Sequence, residues 1–239
     1  MLTIQIHKEK SKMNTKSSTN TNAFLYRTFA VFMIVMLALA VMPVTPAHAA
    51  ACTFTSRVAT GNWSTAGTWT AAGTACGTYP GSGFAGDTVV IITGNTITLD
   101  VSPANAIASL TINAMGAAGT NGLIVGTNTL STGSIAITGS ATPGRFSTLS
   151  VSTGTINVTG VTGNIAFSGT AAQARLNFTG AGTLNIGGSL GAGGTFTAPT
   201  GAGIVNFNGG VQTVSVYTYN NLTLSGSGAK TITGITALT

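Results

Sequence analysis

The chain has 239 residues and a formal net charge of +6, yet only 5% of its residues are charged. Most of the positive charge sits in residues 1–49, with Lys8, Lys10, Lys12, Lys16 and Arg27. Residues 50–239 carry only Arg57, Arg145, Arg175, Lys230, Asp87 and Asp100, together with all 33 glycines and neither histidine. The part after residue 49 therefore lacks the His and Glu on which most general acid–base and metal chemistry relies. Its scattered cations also give no nucleic-acid footprint, which needs clustered charge. The composition predicts no catalytic, cofactor-binding or metal-binding residues and no cofactor.

The first segment reads as an address. Met1–Thr28 is polar and basic, Phe29–Met42 is an unbroken run of 14 apolar residues, and Pro43 and Pro46 follow. Ala47-His48-Ala49 then gives a small-x-small cleavage site, so residues 1–49 read as a secretory signal peptide cleaved near Ala49. The apolar run falls short of the ~20 residues a comfortable membrane span needs, and a retained anchor is the weaker alternative. A secreted or cell-surface protein with no stable span after cleavage is expected.

Export sets the reading of the cysteines. Cys52 and Cys76 are the only two in the chain, and an oxidising compartment favours pairing them. Such a bridge staples the start of the mature chain and contributes about 3 kcal/mol through the unfolded state. Lipidation of Cys52 is the rival reading. The apolar run ends ten residues before it, and no Leu stands three residues ahead of it.

From residue 50 the chain is Gly, Thr, Ser, Ala and Asn interleaved with Val, Ile, Leu and Phe, a composition for strands and turns. Period-two alternation recurs, first in Thr88–Ile91 and Thr96–Leu99 across Thr93-Gly94-Asn95, then in Leu110–Ile112 and Leu123–Val125. From residue 135 a unit repeats: apolar, small or polar, apolar, small, Gly. Copies end at Gly139, Gly160, Gly169, Gly180, Gly188, Gly209 and Gly226. Their gaps cluster near 20 and near half of 20, which suggests an all-β repeat fold. The expected architecture is a parallel β-helix-like solenoid of roughly 20-residue coils, with an antiparallel β-sandwich as the alternative. The two apolar residues of each unit face inward and the residue between them faces solvent. Residues 50–112 are expected to be a capping segment with the first strands, and 113–239 a repeat solenoid. Its close, Thr231–Thr239, reads as one more coil with no polar cap after it. The expectation is a natural chain that continues, or an open edge that meets a partner or a second copy.

The segment 61–103 is the least repetitive. It holds Gly61-Asn62-Trp63, Thr68-Trp69, Pro80, Gly86-Asp87 before Val89–Ile91, and Thr98-Leu99-Asp100. This order resembles the opening of exported bacterial β-strand-repeat surface proteins, adhesin-like in kind, and also the extracellular eight-glycine module. The resemblance covers roughly residues 61–112 and implies extracellular placement with adhesion or ligand binding. It brings no catalytic residues. Trp63 and Trp69 read first as a cap on the open end of the coil, and second as an aromatic platform for sugar. Asp87 and Asp100 read as turn residues, and Tyr217 and Tyr219 as sheet packing. The T-x-T pairs at 96/98, 195/197 and 231/233 raise a surface-binding threonine array, although their spacing is uneven. The function expected is a non-enzymatic structural or adhesion protein. A surface glycan or protein is its expected ligand, and a glycan-binding module is the alternative.

Overall fold

A computed structural model describes residues 26–34, 51–160, 162–197 and 203–234. The chain divides into two units, Met1–His48 and Ala49–Thr239. In the first, residues 26–34 form a helix whose side chains are exposed. No helix among the described residues is long and apolar enough to cross a membrane. The rest of the expected leader, its cleavage site at Ala49 and the closing residues 235–239 lie outside the described residues.

The second unit is all-β. The chain lays down β1 (Thr53–Ser56) and β2 (Thr60–Asn62), turns back through β3 (Trp69–Ala72), and continues with β4 (Thr88–Ile91) and β5 (Thr96–Leu99). Then come β6 (Ser109–Ile112), β7 (Gly119–Val125), β8 (Thr129–Thr132), β9 (Ile135–Gly139), β10 (Arg145–Val151) and β11 (Thr155–Val158). The series closes with β12 (Ile165–Gly169), β13 (Ala174–Phe178), β14 (Thr183–Ile186), β15 (Thr195–Thr197), β16 (Ile204–Phe207), β17 (Gln212–Val214), β18 (Asn221–Leu224) and β19 (Lys230–Ile232).

These strands sort into three long sheets, which we call A, B and C, and a short fourth. Sheet A runs β12-β9-β6-β4-β1-β3, sheet B runs β15-β13-β10-β7-β5-β2, and sheet C runs β18-β16-β14-β11-β8. The fourth pairs β17 with β19. From β6 to β14 the chain visits A, B and C in turn, and each strand from β9 on pairs in parallel with its counterpart one circuit earlier. Among the described residues every ladder between named strands is parallel except β1 with β3. That pairing excludes the antiparallel β-sandwich. Parallel neighbours need a crossover connection, and here each crossover is the other two sheets of the circuit.

The circuit is longer than the 20 residues expected in the middle of the chain. Thr138 meets Ser168 across 30 residues and Asn157 meets Asn185 across 28, whereas Asn185 meets Asn206 across 21. The glycine-terminated units do not mark whole circuits. Gly160, Gly169, Gly180 and Gly188 close strands on sheets C, A, B and C in succession, so their gaps of 9, 11 and 8 together make one turn of 28.

Register puts like on like. Phe54, Val89, Leu110, Ile135, Ile165 and Leu190 stack in one inward column of sheet A, each at most 2% exposed. Ile97, Leu123, Leu149, Leu176 and Phe196 form the matching column of sheet B, and Leu130, Ile156, Leu184, Val205 and Leu222 that of sheet C. All three columns feed one hydrophobic cluster, against which the partly buried Phe196 and Leu222 pack. Burying one such side chain is worth about 1.5–3 kcal/mol, and the columns repeat that gain at every turn. The pairing runs through residues 112 and 113 without a break, because β6 lies between β4 and β9.

At the last turn the inward positions lose their cover. Leu224 aligns with the buried Phe207 and is 39% exposed, and Ile232 aligns with the buried Val214 and is 49% exposed.

One glycine is fixed by backbone approach. Gly122 in β7 has φ +141°, and a Cβ there would stand 1.8 Å from the carbonyl oxygen of Thr148 in the next turn. Gly126, just past the same strand, has nothing within 4 Å of a built Cβ. Gly122→Ala is expected to cost about 2–3 kcal/mol through backbone strain, while Gly126→Ala stays within about 0.5 kcal/mol of the parent. Paired thermal melts check this, and equal melting temperatures for the two variants would contradict the register between β7 and β10.

Candidate binding surface

The opening of the coil is built around the two indoles. Trp63 is fully buried and Trp69 nearly so. Their rings meet edge to face at 5.1 Å, and Phe54 meets Trp69 the same way at 6.4 Å. Each indole also has its polar atom satisfied: Nε1–H of Trp63 donates to the Pro80 carbonyl, and Nε1–H of Trp69 donates to the Trp63 carbonyl. With no ring face open, the platform reading of Trp63 and Trp69 is corrected. They are core residues of the cap, as buried Trp with a hydrogen-bonded N–H generally is.

Cys52 and Cys76 are joined in a disulfide with Cα atoms 5.7 Å apart. It ties the start of β1 to the loop after β3, and Gly73 packs against both sulfurs. Asp87 is buried in the same cap. Its two carboxylate oxygens accept the backbone N–H groups of Cys52 and Gly81, both at 2.9 Å. Asp87 is thus a joint between three segments and more than a turn residue. Asp100 is exposed and accepts from Ser64 twice, from its N–H at 2.9 Å and its Oγ–H at 2.6 Å.

Both carboxylates after residue 49 are therefore engaged in holding the backbone. Among the described residues no group of three His, Cys, Asp or Glu comes together. Tyr219 is buried and donates to the Ser215 carbonyl, and half-buried Tyr217 donates to that of Gly191. Both pack against Phe196. Burial pushes both phenols up, Tyr219 the further.

What the fold brings together on its outside is a set of columns. On sheet B the T-x-T pairs 96/98 and 195/197 fall on the same two columns, but three turns separate them. Those turns place Gly122 and Ile124, then Thr148 and Ser150, then Arg175 and Asn177 at the same positions. A continuous threonine array is absent there. The Arg175 guanidinium lies 3.3 Å from the centroid of the Phe146 ring, a cation–π contact. It borders a shallow trough of about 360 Å³ with Thr96, Thr148 and Asn177.

Sheet C is more regular. Its outward columns are Thr129, Thr155, Thr183, Ile204, Asn221 and Ser131, Asn157, Asn185, Asn206, Thr223. Along the second column the amides form a head-to-tail ladder. Asn206 Nδ2 donates to Asn185 Oδ1 at 3.0 Å, and Asn185 Nδ2 donates to Asn157 Oδ1 at 2.8 Å. Ser225 Oγ feeds one end by donating to Asn206, and Asn157 Nδ2 donates to Ser131 Oγ at the other. Beside the ladder runs a groove of about 490 Å³, lined by Asn157, Asn185, Asn208 and the glycine corners at 160, 187 and 210. Lys230 lies at its end, with Nζ donating to the carbonyls of Gly209 and Gly210.

The ladder could not be placed from sequence. Asn157, Asn185 and Asn206 are the middle residues of three repeat units, and the same position in two other units is Ala136 and Ala166. The structure separates these by sheet: these three asparagines share sheet C, Asn177 of a fourth such unit falls on sheet B, and the alanines share sheet A. That sorting needs the true circuit length.

No protein-family model matches this chain, and no curated protein or solved structure matches it.

Partial burial pushes the Asp100 carboxyl up. The hydrogen bonds from the Ser64 hydroxyl and N–H, joined by backbone N–H groups of Asp100 and Trp63, outweigh it and hold the group below its ordinary value. A carboxylate lowered by folding stabilises above its unfolded pKa of about 3.9 and loses that contribution as pH falls through the folded value. Asp100→Asn is expected to lower the melting temperature at pH 7, with the gap to the parent closing as pH falls below the folded value of the carboxyl. A gap that stays constant with pH would contradict the role assigned to the charge.

Proposed function

We propose that this chain is an exported, non-enzymatic structural or adhesion protein whose β-solenoid offers its outer faces as interaction surface. The observation that carries this reading is the uncharged, register-aligned surface of sheet C: a continuous amide ladder beside a groove with no carboxylate in its lining. Such a face binds by shape and hydrogen bonding, and repeat folds of this kind present extended contact surfaces of that sort.

Export is supported from two sides. The order of basic, apolar and small residues in 1–49 is that of a signal peptide, and the Cys52–Cys76 bridge is the chemistry of an oxidising compartment. The likeness of 61–112 to adhesin-like strand-repeat proteins and to the eight-glycine module points the same way. The half-exposed inward residues Leu224 and Ile232 fit an edge that meets a partner or a second copy.

The test is to express the tagged full chain in a bacterial host, fractionate the cells and sequence the N-terminus of the product. The expected product is extracytoplasmic, begins at Ala50 and has no free thiol. Cells displaying it adhere to coated surfaces more than cells without it. A cytoplasmic chain that keeps its first residues and two free thiols, or displayed chain with no gain in adherence, overturns the proposal.

A further inference from the structure

We infer that the groove beside the asparagine ladder of sheet C is a binding site for a neutral glycan chain, laid along the stacking direction against Asn157 and Asn185. The inference rests on the reading of this face as an interaction surface and names its ligand class.

The first ground is hydrogen-bonding capacity. A side-chain amide has two N–H donors and two acceptor lone pairs on its oxygen. The ladder uses one donor and one acceptor of each of Asn157, Asn185 and Asn206. The unspent donor and acceptor of each rung remain for a ligand. Because each amide is held by its neighbours, their orientation is set before a ligand arrives, which lowers the entropy lost on binding. The rungs repeat at the strand spacing of ~4.8 Å, so the face shows a row of alternating donors and acceptors at regular intervals. Sugar hydroxyls both donate and accept, and a row of them matches such a face.

The second ground is what the groove lacks. No charged side chain lines it, and Lys230 at its end spends its ammonium on the Gly209 and Gly210 carbonyls. A nucleic acid or acidic polymer needs clustered cations to repay the desolvation of its charges. A protein partner is anchored by aromatic or Arg hot spots in apolar pockets, and the groove is lined by glycine, asparagine, serine and threonine, its one apolar residue, Val158, having its side chain buried in the core. The third ground is shape. The glycine corners at 160, 187 and 210 leave a trench of about 490 Å³ along the ladder where side chains would otherwise stand, so a chain can lie against backbone and amides together.

The test uses the purified full chain in pull-downs with amorphous cellulose, chitin, starch and a β-1,3-glucan, with alginate as the acidic comparator. Binding to at least one neutral polymer is expected, unchanged between about 0.05 and 1 M salt, since no counterions are released. Asn185→Leu, which removes the central rung, is expected to weaken it at least tenfold. Gly210→Tyr tests the groove without touching the ladder, because nothing lies within 4 Å of a Cβ built at Gly210, and the same loss is expected. Ser150→Tyr on sheet B leaves binding unchanged. No binding to any neutral polymer, salt-sensitive binding to alginate alone, or full binding by folded Gly210→Tyr overturns the inference. Failure of export with groove binding intact counts against the surface reading alone; export with an inert groove counts against the glycan alone.

Discussion

Everything in this fold follows from the in-register stacking of inward apolar side chains between successive circuits. Each turn is a ring of two or three short strands that cannot bury its own apolar face. Placed on the turn below, it covers that turn's Leu, Ile, Val and Phe residues and hands its own to the turn above. Parallel pairing satisfies the strand backbone of an interior turn, and because side chains alternate with period two, the inward columns lock the outward ones into register as well. The asparagine ladder is a by-product of that lock. Amides stacked one turn apart on parallel strands find each other as they do in cross-β assemblies.

The same rule makes the two ends different from the middle. A first turn has nothing beneath it, and here the exposed end is covered by β3 folding back on β1, by the Phe54, Trp63 and Trp69 cluster, by the disulfide, and by Asp87 binding two N–H groups at once. These devices explain why both tryptophans, both cysteines and both aspartates crowd between Cys52 and Asp100. The two carboxylates after residue 49 are spent there as well, on backbone N–H groups and on Ser64.

The inward half of the structure was readable in the sequence, because a two-residue alternation closed by Gly has one physical meaning whatever the circuit length. The Cys52–Cys76 bridge was readable from compartment logic. The circuit length was not. Units such as 156–160, 165–169 and 176–180 look like consecutive turns, and they are consecutive sides of one turn. From Ile156 in sheet C the chain passes Ile165 in sheet A and Leu176 in sheet B before it returns to Leu184. Without that number nothing in the sequence says that Asn157, Asn185 and Asn206 stand in line. The tryptophans were ambiguous for another reason. Exposure of an aromatic depends on what folds over it, and the loop carrying Pro80 supplies the acceptor that buries Trp63.

The stacking itself is open to a direct measurement. Thr155 and Thr183 are paired one above the other on sheet C, with their side chains outward, and neighbouring strands lie about 4.8 Å apart, within disulfide reach. A Thr155→Cys, Thr183→Cys chain oxidised in air should close that second bridge near-quantitatively, while Thr155→Cys with Thr195→Cys, which stands on sheet B, should not. Failure of the first pair to link, or equal linking by both, would contradict the stacked circuit on which the account stands.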